Sequence, residues 1–402
     1  MPSVCCYFQV HQPYRLKPYR AHQVGREHEY FDEPQNAAIL RKVANKCYLP
    51  ANRKMLELIH RHPGQFKIAF ALSGTVIEQL AAYAPEALES FQELFATGAV
   101  EAIAETSHHS LAALYDPTEF AEQVSVHTAL LDHTFGVRPQ VFRNTELIYD
   151  DQVAKQVQQL GFKAMLAEGA DDVLGWRSPN FVYDSVAPGL KLLLKNYRLS
   201  DDIAFRFSNR SWHEFPLTAD KFVDWLSHID GSGDVVGLFM DYETFGEHQW
   251  EETGIFHFLD AFPGRLLARR QWSFVTPSEA IARYPAVSEL SFPRTVSWAD
   301  LERDLSAWKG NSMQQRALDR VYRLAQAVRK LGDPKVSRTW QRLQTSDHFY
   351  YMCTKWFSDG DVHAYFSPYE SPYEAFINAM NVLDDFESFV LGLPGDRLPI
   401  AS

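Results

Sequence analysis

Over residues 1–285, short apolar runs alternate with amphipathic stretches, and nearly every run stops at a polar or acidic cluster. The runs cover 3–10, 66–72, 100–104, 140–142, 162–166, 190–194 and 235–240. Their length and near-continuous apolar content read as strands covered on both faces. Residues 51–62, 75–82, 85–97, 118–135 and 222–229, and a stretch ending at about 160, carry helical spacing. Pro63-Gly64, Gly98, Gly136 and Gly161 stop four of these helices. Residues 14–50 read as a long loop with one helical piece, and 272–275 as a further short strand. Alternation of this kind predicts parallel βαβ units, here a closed or nearly closed barrel of seven or eight strands.

After about residue 286 the period changes. Ala317, Leu318, Val321, Leu324, Ala325, Val328 and Leu331 form one stripe, so 313–331 is expected to be a single helix. Residues 337–352 and 373–391 are expected to be two more. The expected division is a barrel domain over 1–285 and a helical domain over 286–402 that contributes to the active-site cleft. Within the latter, the segment from Ser346 to Tyr351 reads SDHFYY. Either it holds a satisfied buried histidine among core aromatics, or it leans over the barrel mouth.

Composition narrows the partners. Hydrophobic residues at 46% and charged residues at 22% are ordinary for a globular protein. With 39 basic against 51 acidic residues the formal charge is −12, which disfavours nucleic acid and anionic membranes. Aromatics reach 14%, and they could stack on sugar faces or fill a large core. No stretch of about 18 apolar residues predicts a membrane span, and the first residues lack the features of a signal peptide. The four cysteines, Cys5, Cys6, Cys47 and Cys353, include an adjacent pair whose side chains point to opposite strand faces. A reducing cytoplasm is the expected compartment.

The candidate chemistry lies at strand ends. Residues 234–250 read DVVGLFMDYETFGEHQW, with Asp241, Glu243 and Glu247 following the apolar run. Acids placed there are costly to desolvate unless paired or used, and this edge carries the active site in barrel and doubly wound folds. A purely structural acidic loop has the same pattern. Cleavage of a glycosidic bond needs two carboxyl groups, one to attack or activate water and one to protonate the leaving oxygen. Glu146, in FRNTELIY, has Arg143 close by to hold it ionised, as a nucleophile requires. Asp241 follows a buried strand, which would raise its pKa, as an acid requires. The 51 acids offer many other pairs.

Several spaced motifs resemble those of glycoside hydrolase family 57. His11-Gln12-Pro13 is similar to its first motif and Glu105-Thr106-Ser107-His108-His109 to a strand-end motif of its α-amylase branch. Phe142-Arg143-Asn144-Thr145-Glu146-Leu147 resembles the nucleophile motif, and the segment from Met240 to His248 the acid/base motif. Ser346-Asp347-His348-Phe349-Tyr350-Tyr351 is similar to the last motif. The resemblance implies an α/β fold, an incomplete (β/α)7 barrel followed by a helical region, and retention at α-glucan bonds without cofactor or metal. It puts the nucleophile on Glu146 and the acid/base on Asp241. His11, Gln12, Glu105, His108, His109, Arg143, Asp201, Asp202, His248, Asp347 and His348 are expected to contact sugar hydroxyls. Tyr242, Trp250, Trp212 and Tyr350 are expected to stack on sugar rings. The chain is short for the family, which favours the amylase-like branch over its glucanotransferases and branching enzymes.

Two more distant alternatives remain. A metal-dependent deacetylase or mannosidase-like enzyme would need His and Asp ligands together at one strand end, but the first strand ends in His11-Gln12. A glucan-binding protein with a dead site would not need both Glu146 and Asp241.

Overall fold

The computed structural model describes residues 1–357 and 367–392. Seven parallel strands make the barrel: β1 (Ser3–Val10), β2 (Ile68–Leu72), β3 (Val100–Ala104), β4 (Val141–Arg143), β5 (Ala164–Glu168), β7 (Lys191–Lys195) and β8 (Val235–Asp241). They pair in the ring order β1-β2-β3-β4-β5-β7-β8, and β8 returns to β1. The β7–β8 seam is joined at one register pair, Lys195 opposite Gly237. A Cβ on Gly237 would lie 2.4 Å from the Leu194 carbonyl oxygen, so only glycine lets the two strands meet. Elsewhere the seam is open: β6 (Val182–Ser185) runs antiparallel along β7, and β10 (Glu289–Leu290) extends it outward. The short β9 (Ser273–Phe274) pairs with the start of β1.

Strand alternation sorts the side chains. Cys5, Tyr7, Ala69, Ala71, Ile103, Val141, Ala164, Leu166, Leu193, Val235 and Phe239 form one buried cluster inside the barrel. The opposite faces feed two larger clusters under the helices. β4, β5 and β7 each extend past the apolar run and end on Arg143, Glu168 and Lys195. The ladder outlasts the hydrophobicity because these last residues belong to a polar upper layer of the barrel.

Around the barrel, Asp116 caps the helix Pro117–Phe135 and Asp150 caps Asp151–Gln159. Sequence reading missed the helix Ile255–Ala268, whose Pro263-Gly264 looks like a stop. It continues because Ile255, Phe258, Leu259, Phe262 and Leu266 bury one face. β6 and β10 were also missed, being four and two residues long.

The helix expected over 313–331 is two, Ser312–Arg323 and Ala325–Leu331. The helix expected over 337–352 is also two, Pro334–Leu343 and Ser346–Tyr350, and this break has consequences. Gln344 and Thr345, both fully buried, leave the helix: Gln344 bonds Glu119 and Gln123 of the helix Pro117–Phe135, and Thr345 bonds the loop after β3. Thr345 forms a β-bridge with Ser110, its Oγ1 donates to the His108 carbonyl at 3.0 Å, and the Ser346 amide donates to the His109 carbonyl at 2.9 Å. The last helix, Pro372–Leu391, packs in the same cluster as the outer faces of β4, β5 and β7. Residues 358–366 and 393–402 of the expected helical domain lie outside the described residues.

Candidate active site

The ends of the seven barrel strands and two later segments converge at the carboxyl edge of the barrel. Glu146 sits in a single turn of 3-10 helix, Thr145–Leu147, directly after β4. Its backbone is left-handed, φ 58°, which a non-glycine residue adopts only when its surroundings hold it there. The holding groups are identifiable. The Trp298 amide donates to the Glu146 carbonyl at 3.2 Å, and Trp298 Nε1 donates to Oε2 at 2.7 Å. Ser346 Oγ donates to Oε1 at 2.7 Å, and His109 Nε2 faces the same oxygen at 3.5 Å.

Behind this carboxylate lies a buried acid–imidazole pair. Glu105, fully buried at the end of β3, accepts from Gln9 Nε2 at 2.9 Å and from His109 Nδ1 at 2.6 Å. Its own amide donates to His127 Nδ1 at 3.1 Å, while His127 Nε2 donates to the Leu72 carbonyl at 2.7 Å. The helix Pro117–Phe135 therefore fixes Glu105 from outside. The His109 ring stacks on His11, centroids 3.9 Å apart and planes 22° from parallel. His11 in turn bonds Ser73 Oγ at 2.7 Å through Nδ1 and Asp347 Oδ2 at 2.9 Å through Nε2.

Arg143 is fully buried among these acids, its guanidinium 5.0 Å from the Phe239 ring centroid and 5.9 Å from that of Trp298. None of its three side-chain nitrogens has a hydrogen-bond partner among the described residues. Lys195 is also buried, 3.2 Å from Asp201 Oδ1 and 3.7 Å from Glu168 Oε2. A cleft lined by Lys195, Asp201, Phe205, Phe239, Asp241, His248 and Trp298 opens beside it. Trp298 thus lines the cleft on the Asp241 side while its indole nitrogen holds Glu146.

Charge states follow from these contacts. For Glu146, burial acts upward, but the His109 bond and charge, with Arg143, outweigh it and hold the carboxyl below its ordinary range. Asp241 is pushed up to about 7, by burial first and then by the Glu146 charge, against the pull of Arg143 and Lys195. Burial acts downward on His109, yet Glu105 and Glu146 raise it to about 9. Burial acts upward on Glu105, yet His109, Arg143 and His127 bring it to about 2. Glu168 rises to about 7 on burial, partly offset by Lys195.

The expected site residues separate into three groups. Asp201, Asp241 and His248 line the cleft, with Asp202 next to it, paired to Arg206 at 2.7 Å. Trp250 is 60% exposed, with Lys46 over its ring. Tyr350 is half-buried, its ring 6.1 Å from Trp308. A second group surrounds Glu146. Glu105 and Arg143 are fully buried, so the expectation of direct sugar contact is corrected for these two; both ring nitrogens of His11 and of His109 face protein partners.

The third group faces away. Tyr242 is fully buried, its hydroxyl donating to Asn52 Oδ1 at 2.8 Å among Phe8, Phe70 and Phe91. It follows Asp241 directly, so alternation turns it outward; it is a core residue, not a stacking platform. Trp212 packs against Trp225 at 6.0 Å. His108 bonds Ser107, and buried His348 bonds the Arg342 carbonyl at 3.2 Å, lining a cavity with Leu16 and Phe349. Gln12 is tied to Arg15 and, through its carbonyl, to Gln79. The two readings of the 346–351 segment each describe half of it: Ser346 and Asp347 reach the site, while His348, Phe349 and Tyr351 are core.

Sequence reasoning missed Trp298, Ser346 and Lys195. Trp298 had no signal, since it lies in an aperiodic segment 152 positions from Glu146. Lys195 had one, a charge closing the run KLLLK. Among the described residues no group of three or more His, Cys, Asp or Glu could hold a metal ion, and no helix is long and apolar enough to cross a membrane.

Known proteins resemble this chain in sequence and in fold. A Methanocaldococcus jannaschii protein named "Putative alpha-amylase" is 42% identical over 396 residues, covering 95% of this chain and 84% of that protein. Among solved structures, the 4-alpha-glucanotransferase of Thermococcus litoralis matches 96% of this chain with a TM-score of 0.70 at 14% identity. This chain spans 60% of that enzyme. The α-amylase AmyC of Thermotoga maritima matches 97% of this chain and 94% of its own, TM-score 0.62, also at 14% identity. At that identity the structural matches speak for the fold. The sequence model of Glycosyl hydrolase family 57 matches residues 5–293, nearly three-quarters of the chain. With the barrel, the strand-end carboxylates and a relative of this identity, the chain belongs to glycosyl hydrolase family 57.

Proposed function

We propose that the protein is a retaining hydrolase of α-1,4-glucans such as starch, glycogen or maltooligosaccharides. Glu146 attacks the anomeric carbon while Asp241 protonates the departing oxygen. A covalent β-glucosyl-enzyme results. Asp241 then takes a proton from water as the water oxygen displaces Glu146. Two inversions at one carbon give net retention.

The observation that carries this reading is the opposed state of the two carboxyls. Glu146 accepts hydrogen bonds from Trp298 and Ser346 and faces His109, which favours the anion. Asp241 is half-buried at the end of β8, and desolvation pushes it up to about 7, which keeps it protonated into the neutral range. In this reading the sugar ring occupies the cleft beside Trp298, with Asp201 and Lys195 within its lining. The cytoplasm fits four cysteines that are all free and buried.

Transfer to a second glucan is the other outcome of the same intermediate. Product analysis from a single defined maltooligosaccharide decides between them. Hydrolysis yields only shorter sugars with the α-anomer formed first. Products longer than the substrate would replace hydrolysis with transfer, and β-anomer formed first would overturn retention.

A further inference from the structure

His109 lies between two acids of different depth, Glu105 and Glu146. One ring nitrogen is 2.6 Å from the fully buried Glu105, the other 3.5 Å from Glu146. The residue is held in a left-handed backbone conformation, φ 52°, and its carbonyl is gripped by the Ser346 amide. That strain serves to aim the ring, since a residue one step along a regular turn would point elsewhere. His11 covers the ring face. The direct charges around His109 and Glu146 are Glu105 on the β3 end, Arg143 on β4, Asp241 on β8 and Asp347 from the helix Ser346–Tyr350; His127 backs Glu105.

We propose that His109, oriented by Glu105, is a positioning residue that holds Glu146 as an anion and turns it into a better leaving group in the second half-reaction. The inference rests on Glu146 being the nucleophile. In the first step an imidazolium beside the carboxylate keeps it ionised but makes it less basic. In the second step the water oxygen bonds the anomeric carbon, water gives its proton to Asp241, and the bond to Glu146 breaks with its electron pair returning to the carboxylate. The cation next to Oε1 stabilises that returning charge, so its benefit falls mainly on glycosyl-enzyme breakdown. Glu105 supplies the counter-charge that keeps His109 protonated through the cycle.

The test is His109→Asn, because asparagine tolerates the left-handed backbone that histidine occupies here. The acid limb of kcat/KM moves to higher pH by about one unit, as for loss of a neighbouring opposite charge. On the pH plateau kcat falls about tenfold, the equivalent of one pKa unit in the leaving carboxylate, while kcat/KM falls less. Enzyme quenched during turnover then carries a glycosyl mass increment that wild type lacks. Glu105→Gln keeps the shape but has one acceptor oxygen for the two donors Gln9 Nε2 and His109 Nδ1, and it removes the counter-charge. It accumulates the same species to a smaller degree if His109→Asn does not fold. An unmoved acid limb in folded His109→Asn, or equal losses in kcat and kcat/KM with no trapped glycosyl-enzyme in either variant, overturns the proposal. Glu146→Gln separates the two claims. If that variant retains turnover, the nucleophile assignment itself fails; if it is inactive and His109→Asn leaves the limb in place, only the role of His109 fails.

Discussion

Glu146 and Asp241 stand at the ends of two strands of one barrel, both half-buried, and yet they are held in opposite states. Burial acts upward on both. The difference lies in what each faces. Glu146 receives side-chain hydrogen bonds from Trp298 and Ser346, and an imidazole points at it. No hydrogen bond from another described residue reaches the Asp241 carboxyl, and the charge of Glu146 adds to its burial. Depth alone therefore does not assign roles to buried acids; the donors and cations within reach do. The barrel delivers those donors from far along the chain, as Trp298 and Ser346 both follow the last strand.

The sharpest way to break this comparison is to neutralise each acid in turn. Glu146→Gln removes the attacking group, and turnover falls about 10²-fold or more on every substrate. Asp241→Asn falls comparably on maltooligosaccharides, whose leaving alcohol needs a proton. On an aryl maltoside with a strongly acidic phenol, the first step needs no proton, so an initial burst of phenol survives in Asp241→Asn and is absent from Glu146→Gln. Identical behaviour of the two variants on the aryl substrate would mean that the roles are not divided in this way.

The two sides were not equally legible in the sequence. Asp241 announced itself, because a continuous apolar run ended on an acid and the ladder of β8 ends there too. The seven parallel strands were legible for the same reason. What surrounds Glu146 was not. A histidine reads as a candidate from its type alone, but whether its nitrogens are free depends on partners 62 and 336 positions away, as for His11 with Ser73 and Asp347. Spacing carries no information about such contacts, so side chains that position the carboxylate looked like side chains that bind sugar. Tyr242 is a different failure, since alternation already turned it away from the face that Asp241 occupies. The break at Gln344–Thr345 also escaped notice, because the helical stripe continues across it.

Intermediate effects sharpen the picture on each side. Trp298→Phe keeps the ring in the cleft and deletes the Nε1 donor to Glu146. Loss of one hydrogen bond to a charged group is worth roughly 1.5–3 kcal/mol, so kcat/KM should fall about 10- to 100-fold. A loss below threefold would mean that the bond matters little for reaction. On the other side, Lys195 pulls the Asp241 pKa downward. In Lys195→Met that pull is gone, Asp241 keeps its proton to higher pH, and the alkaline limb of kcat/KM moves up from about 7. A limb that stays or moves down would detach it from Asp241.

The smallest effect concerns Glu243, two positions beyond Asp241 and almost wholly buried. It accepts from the Tyr48 hydroxyl, and burial first, then the Asp241 charge, pushes it from 4.5 up to about 8. Between those values the folded protein holds a proton that the unfolded chain has released. Stability from this group is therefore complete at acid pH and drains away as pH rises toward 8. Glu243→Gln carries no proton to lose, and its side-chain oxygen can still accept from Tyr48. Its melting temperature should match wild type near pH 5 and exceed it by a few degrees at pH 9. A melting difference that does not grow with pH would show that Glu243 is ionised in the folded protein, and that the β8 end tolerates two negative charges side by side.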